Sequence, residues 1–314
     1  MRRTWSLVYQ RWMALNEWLR AFVVAAVLLA LVHGFLFRVV NVQSTSMFAT
    51  LMPGDLLLVQ RWPVVTGVER NDVVVFRDPL KDDRALSRRP LLVKRIAGVP
   101  GDEVELRKGV LYVNGQRAED PPGITWSHLL RVRSSVDADS LLRALDLPPA
   151  YAGRQRRTVE VALTDAQADQ LRELPQVVSV ERMGTATGAP RHIFPFSPFF
   201  PWNGDNYGPL TVPGKGDTLT ITASNLPLYD RLITQYEGHR LGVGGGELTL
   251  DDQPLTTYVV EQDYYLVLGD SRHHSSDSRY WGFVPHDHLV GRASVVLLSK
   301  GPSGLRSGRW WRGL

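Results

Sequence analysis

The sequence predicts a mostly β protein: a single N-terminal transmembrane helix, then an antiparallel β domain carrying a small α/β insert. Three observations lead there. Residues 21–37 (AFVVAAVLLALVHGFLF) carry no formal charge and are bracketed by Arg20 and Arg38. The remaining chain falls into short apolar or alternating runs separated by Gly, Pro, Asp and Asn. Gly (27) and Pro (20) together make 47 of 314 residues, which suits a turn-rich β protein better than a helical bundle.

The apolar segment comes first. At roughly 1.5 Å per residue it spans about 25 Å, the short end for a membrane helix. Val39 and Val40 extend it if Arg38 snorkels to the interface. A cleaved secretory signal would end in a small-x-small site, whereas Phe35, Leu36, Phe37 and Arg38 follow here. The first twenty residues hold Arg2, Arg3, Arg11 and Arg20 against Glu17. The positive-inside rule therefore places the N-terminus in the cytoplasm and the rest outside, in a single-pass cell-membrane topology. His33 reads as an interface residue near the helix end.

Strands follow at 56–60, 73–76, 91–96, 104–106 and 111–113. Asn114-Gly115 signals a hairpin, because both residues tolerate positive φ. GVLYVNGQ from Gly109 is echoed by GELTLDDQ from Gly246, too few copies for a repeat architecture. Later strands are expected at 218–222, 256–260, 264–268 and 293–298. Between 119 and 191 the texture changes. Residues 157–163 alternate as a half-buried strand, Thr164 and Gln167 form a capping box opening a helix through Leu171, and 177–180 is a strand. With a helix near 139–145, this is an inserted subdomain whose Arg-rich stretches read as a solvated face. The division is thus 1–20 cytoplasmic, 21–40 anchor, 41–118 and 192–300 the two parts of the β core, 119–191 insert and 301–314 basic tail. The aromatic run 193–207 reads as a packed loop, with membrane contact the sharper alternative. The tail, with Arg306, Arg309, Trp310, Trp311 and Arg312, reads as disordered, or as touching anionic lipid.

Composition closes several function classes. With no cysteine, a thiol nucleophile, iron–sulfur ligation and a disulfide framework are excluded. A net charge of +4, scattered along the chain, gives no ground for a nucleic-acid partner. What remains is a Ser/Thr cluster, Ser44-Thr45-Ser46, just beyond the anchor. Alone it would be a cap or a linker. A serine becomes a nucleophile only beside a base, and Lys94 stands in an apolar strand, LLVKRIAG. Buried there, it would shed its proton readily; on an edge it would remain an ordinary cation.

Four segments, in order, then carry a resemblance. Ser44-Thr45-Ser46-Met47-Phe48-Ala49-Thr50-Leu51, Asp72-Val73-Val74-Val75-Phe76, Lys94-Arg95-Ile96-Ala97-Gly98-Val99-Pro100-Gly101-Asp102, and the stretch from Gly269-Asp270-Ser271-Arg272-His273-His274 to Pro285 resemble the boxes of type I signal peptidases in their long-insert form. These are membrane-bound serine–lysine endopeptidases that remove signal peptides. The likeness covers the anchor and roughly 38–118 and 193–300. It implies Ser46 as nucleophile and neutral Lys94 as general base. The Ser46 N–H and the Ser44 hydroxyl would form the oxyanion hole, with Ser275 orienting Lys94 and Asp277 with Arg279 bracing the site. Val40, Val42, Met47, Leu51, Leu92 and Val93 would line shallow pockets for an Ala-x-Ala cleavage site. It implies signal-peptide-bearing preproteins and the lipid bilayer as partners, the catalytic domain on the extracytoplasmic face, and neither cofactor nor metal. The family usually has Pro where Ala49 stands, and Gly where Thr45 and Asn71 stand.

Three other readings compete. One is a Ser–His–Asp hydrolase with His273 or His274 as base. Another is a hydrolytic metal site built from Asp270, His273, His274 and Asp277. The third, from a different class, is a membrane-tethered module that binds peptides without cutting them.

Overall fold

In the computed structural model, which describes residues 12–133, 137–145, 147, 152–155, 157–186, 193–244, 247–301 and 304–314, the apolar helix leads straight into a β-sheet. The helix Glu17–Leu31 continues as a π turn, Val32–Leu36. Together they form a 20-residue segment long and apolar enough to cross a membrane. The expected extension through Val39 and Val40 does not occur. Phe37–Asn41 is strand β1, paired antiparallel with β2 (Asp55–Gln60), with Val40 opposite Leu57. β-branched residues suit a pleated ladder, and pairing with β2 satisfies backbone groups that a helix end would leave open. Arg2, Arg3, Arg11 and the His33 side chain lie outside the described residues.

Next come β3 (Val73–Arg77) and β4 (Leu91–Gly98). In β3, Val73 and Val75 belong to one buried apolar cluster and Val74 and Phe76 to another, so this strand is covered on both faces. That is why it reads as an unbroken apolar run rather than an alternation. A satellite sheet holds β5 (Glu103–Arg107), β6 (Val110–Val113) and β7 (Gln116–Arg117). Its β6–β7 turn puts Asn114 at φ 52° and Gly115 at φ 75°, the positive values the hairpin reading requires.

The insert follows with β8 (Trp126–Val132), β9 (Ala152–Gln155), β10 (Thr158–Leu163) and β11 (Val177–Arg182), ordered β11-β8-β10-β9. Helix Asp165–Arg172 joins β10 to β11 across β8, and its capping box pairs Thr164 with Gln167 in both directions. The chain then returns through a packed aromatic loop, where Trp202 packs with tilted rings between Phe200 and Tyr207 while Phe196 and Phe199 stay exposed. β12 (Tyr207–Thr211) closes the satellite sheet against β5. Small ladders follow: β13 (Thr218–Thr220), and the three-strand set β14 (Leu241–Gly244), β15 (Glu247–Leu250) and β16 (Gln253–Pro254). β17 (Thr257–Val259) pairs β13.

β18 (Tyr264–Leu268), β19 (Val284–Pro285) and the long β20 (Leu289–Gly301) complete the main sheet, ordered β1-β2-β20-β3-β4-β18-β19. All ladders among the described residues are antiparallel; one isolated parallel bridge joins Thr125 to Ser271. The sheet curls enough to bring β1 opposite β4 across a cleft. The basic tail, read as disordered, is folded: β21 (Gly304–Leu305) and β22 (Arg312–Gly313) both pair with β20. Arg309 anchors it by an ion pair to fully buried Asp55, Nη2–Oδ2 2.6 Å, and a bond from Nη2 to the Thr50 carbonyl, 2.9 Å. Sequence composition does not reveal this, because Asp55 lies far away in the chain.

Candidate active site

Ser46 lies in the turn that follows β1. Val42 and its neighbours fix the base of that turn, since Val42 N–H donates to the Asp55 carbonyl (2.8 Å) and Gly54 N–H to the Val42 carbonyl (2.8 Å). Lys94 projects from β4 and is 4% exposed; Ser46 is 8% exposed. Lys94 Nζ and Ser46 Oγ are hydrogen-bonded to each other. Ser44 Oγ stands 3.2 Å from Ser46 Oγ and is itself exposed. Burial pushes the Lys94 amine down to about 8, with the Asp277 charge opposing and the Arg279 charge reinforcing the shift. Of the two settings the strand context allowed, Lys94 takes the buried one.

A strand sends successive side chains to opposite faces, and Arg95, next to Lys94, makes an entirely different set of contacts. Its guanidinium grips Asp270 with two bonds, Nε–Oδ1 2.9 Å and Nη2–Oδ2 2.7 Å, and donates through Nη1 to the Asn71 carbonyl at 2.7 Å. Asn71 takes φ 72°, the left-handed region that glycine favours and asparagine tolerates, so its departure from the family's Gly is accommodated. Sequence reading gave Arg95 no role; its position in the lysine segment was the only signal.

Asp277 and Arg279 pair as expected, Nε–Oδ1 2.8 Å and Nη2–Oδ2 2.9 Å, with both side chains buried. Burial alone would raise the Asp277 carboxyl; Arg279 and the Gly269 N–H (2.9 Å) outweigh it and hold it low. Arg279 also donates to the Arg272 carbonyl (2.6 Å) and the Gly204 carbonyl (2.8 Å), tying the 269–279 loop to the 202–206 loop. The 269–279 loop also reaches the serine turn directly, since Ser271 N–H donates to the Ser46 carbonyl at 3.0 Å.

Ser275 departs from expectation. Its Oγ is buried without a hydrogen-bond partner and makes no bond to Lys94. It packs against Gly269, where an added Cβ would collide with it, and the Lys94 amine is turned instead toward Ser46.

His273 and His274 do not join Ser46. His273 Nδ1 accepts from the Ser127 N–H (3.2 Å) and its Nε2 faces Asp205 Oδ1 (2.9 Å). His274 Nε2 lies 2.8 Å from Ser127 Oγ and 3.3 Å from Glu160. Both histidines sit where the insert meets the core, which removes them as bases for Ser46. The four-residue metal site fails for the same reason: Asp270 is held by Arg95 and Asp277 by Arg279. Among the described residues no group of three or more His, Cys, Asp or Glu could hold a metal ion.

The insert is closer to the site than its sequence suggested. Ala49 N–H donates to the Gly123 carbonyl (3.2 Å), Thr125 Oγ1 to the Phe48 carbonyl (3.0 Å), and Thr125 N–H to the Asp270 carbonyl (2.9 Å). Its leading edge therefore braces both the serine turn and the 269–279 loop.

A cleft of about 560 Å³ runs between β1 and β4 and is lined by Ser44 and by Lys94, the hydrogen-bond partner of Ser46. Val40, Val42, Met47, Leu92 and Val93 are among its lining residues. Leu51 is not; it is fully buried in the apolar cluster that contains Met47.

The chain is 35% identical to Signal peptidase I of Bacillus licheniformis over 109 residues, 34% of this chain and 55% of that protein. It is 37% identical to Signal peptidase IB of Staphylococcus aureus over 108 residues, 34% and 52% respectively. The match to Signal peptidase I P of Bacillus subtilis subsp. natto is 31% over 115 residues, 36% and 58%. The chain thus spans about half the length of the relatives it matches. The family described as signal peptidase, peptidase S26 matches residues 15–155 and 210–298, taking in the apolar helix, Ser46, Lys94 and the 269–279 loop. That match covers well over half of the chain, and the protein belongs to the signal peptidase, peptidase S26 family.

Proposed function

We propose that the protein is a membrane-anchored serine endopeptidase that removes N-terminal signal peptides from exported proteins after Ala-x-Ala sites. The observation that carries the reading is the Ser46–Lys94 pair, with its amine desolvated to about 8, beside a cleft that Lys94 lines. Neutral Lys94 takes the Ser46 proton as Oγ attacks the scissile carbonyl carbon. The Ser46 N–H and the Ser44 hydroxyl hold the developing oxyanion. Protonated Lys94 then gives its proton to the leaving amine, and water hydrolyses the acyl-enzyme with Lys94 again as base. The Asp277–Arg279 and Arg95–Asp270 pairs brace the site without touching substrate.

The substrate lies extended between β1 and β4, added as a strand. Small side chains enter beside Val40 and Val42. By the positive-inside rule the N-terminus lies in the cytoplasm and the β domain on the extracytoplasmic face of the cell membrane. Ser46 follows Leu36 by ten residues, so enzyme and cleavage site meet near the bilayer surface.

The test is cleavage of a preprotein with an Ala-x-Ala site by the full chain in detergent. Ser46→Ala and Lys94→Ala should each abolish cutting, while the double His273→Ala, His274→Ala variant retains it. Appreciable turnover by either single variant would remove the serine–lysine assignment. An inert wild type on several such substrates would favour a peptide-binding module instead.

A further inference from the structure

The cleft does not end at the residues assigned to small side chains. Along β1, alternate residues share a face. Val40 and Val42 belong to the buried cluster beside the cleft, and Arg38, two residues further back, shares their face and also lines the cleft. Arg77 ends β3 on the face that carries Val73 and Val75 of the same cluster. Arg77 stands directly opposite Leu91 of β4, which lines the cleft, and burial, then the Arg38 charge, push its guanidinium down. Arg77 Nη1 donates to the Arg89 main-chain carbonyl at 2.9 Å. Among the described residues neither Arg38 nor Arg77 forms a salt bridge, whereas Arg89, Arg95, Arg279, Arg292 and Arg309 all do. The end of the cleft remote from Ser46 is therefore left positively charged.

A peptide strand lying beside β1 repeats the same alternation. With its scissile bond at Ser46, the residue before the bond faces Val42, the third faces Val40 and the fifth faces Arg38, about 13 Å upstream. We propose that Arg38, supported by Arg77, is a specificity residue that favours substrates carrying an acidic side chain at the fifth position before the cleaved bond. This rests on the peptidase reading above and adds a substrate class to it.

The experiment uses the full chain in non-ionic detergent with three preproteins identical except for Glu, Gln or Lys at that fifth position. Wild type should order them Glu > Gln > Lys in kcat/KM, with about a two- to fivefold difference between Glu and Lys at low salt, as expected of a solvent-accessible ion pair. The spread should shrink at high ionic strength. Arg38→Gln should flatten the ordering and Arg38→Glu should reverse it. Only ratios between substrates are compared, so a general loss of activity in a variant does not mimic the effect. Equal wild-type rates on all three substrates would overturn the proposal. So would an ordering that Arg38→Glu leaves unchanged, or an Arg38 effect that is uniform across substrates and emerges only when anionic lipid is added, which would assign the cations to headgroups. Wild type that cuts none of the three while matching Ser46→Ala would sink the peptidase reading itself, and this proposal with it.

Discussion

Replacing Lys94 with methionine should abolish cleavage and yet make the protein more stable at neutral pH. The Lys94 value falls from 10.5 to about 8 on folding because burial disfavours the ammonium. At pH 7 the amine is protonated in both folded and unfolded chains, and holding that charge in the site costs about 3 kcal/mol. Methionine matches the stem of lysine and adapts to its packing without carrying the charge. The lost bond to Ser46 offsets about 1 kcal/mol of the gain. The net of about 2 kcal/mol should raise the unfolding midpoint by about 4–8 °C for a domain of this size. The sign follows from proton counting. Between about 8 and 10.5 the unfolded chain binds more protons at this site, so wild-type stability rises with pH and the methionine advantage shrinks; below about 8 it is constant. Above 10.5 the amine is neutral in both states and the variant should be the weaker by its missing hydrogen bond. The assay is thermal unfolding of both proteins in the same detergent at pH 7 and near pH 10.5, followed by tryptophan fluorescence. A variant no more stable than wild type at pH 7, or an advantage that does not change with pH, would refute a desolvated Lys94.

The acid limb of the wild-type pH–rate profile should follow deprotonation of Lys94, with kcat/KM rising through an apparent value of about 8, checked on a neutral substrate at constant ionic strength. Gly269→Ala should inactivate and destabilise by about 1–3 kcal/mol, because the added Cβ meets Ser275 and lies 2.6 Å from the Ser46 carbonyl; cleavage and denaturant unfolding read the two effects. Arg309→Ala should cost about 3 kcal/mol at pH 7 by leaving buried Asp55 without its cation. Asp55 sits below its ordinary 3.8 because Arg309 and Ser299 outweigh its burial, so that loss is present above 3.8 and should fade as pH falls further, measured as unfolding midpoint against pH.

What the sequence made legible was local chemistry. The Thr164–Gln167 capping box and the Asn114-Gly115 turn are set by residues within a few positions of one another, and both form as read. The anchor was visible as uninterrupted apolar length, but its end was not. Val39 and Val40 are as apolar as the helix before them, and only β2, from across a loop, makes Phe37–Asn41 a strand. β8 was not legible because Trp126–Val132 buries polar Ser127 and His128 beside Trp126, Leu130 and Val132, so its sequence shows no simple alternation. Within the site, Ser46 and Lys94 were readable through the family likeness. Arg95 with Asp270 and Arg309 with Asp55 were not, since the partners are 175 and 254 residues apart and no periodicity links them. Ser275 marks a different limit: a residue type says that a hydroxyl is present, not which way it points.

The unread pairs explain how a buried lysine can be tolerated. Lys94 contributes no stability at pH 7 as a charge; something else must hold β4, the serine turn and the 269–279 loop together around it. Arg95 does this from the opposite face of β4, gripping Asp270 at the start of the loop, while Arg279 grips Asp277 at its end. Between these two clamps, Ser271 N–H reaches the Ser46 carbonyl and Thr125 ties the same loop and the serine turn to the edge of the insert. Each clamp is a buried ion pair with its own hydrogen bonds, so neither leaves an unpaired charge beside the amine. Asp277 and Asp270 pull the Lys94 value up and Arg279 pushes it down, so opposed charges partly cancel there and burial decides the outcome. The Lys94 amine beside Ser46 is therefore set by desolvation, and the ion pairs around it act by fixing geometry rather than by tuning that amine.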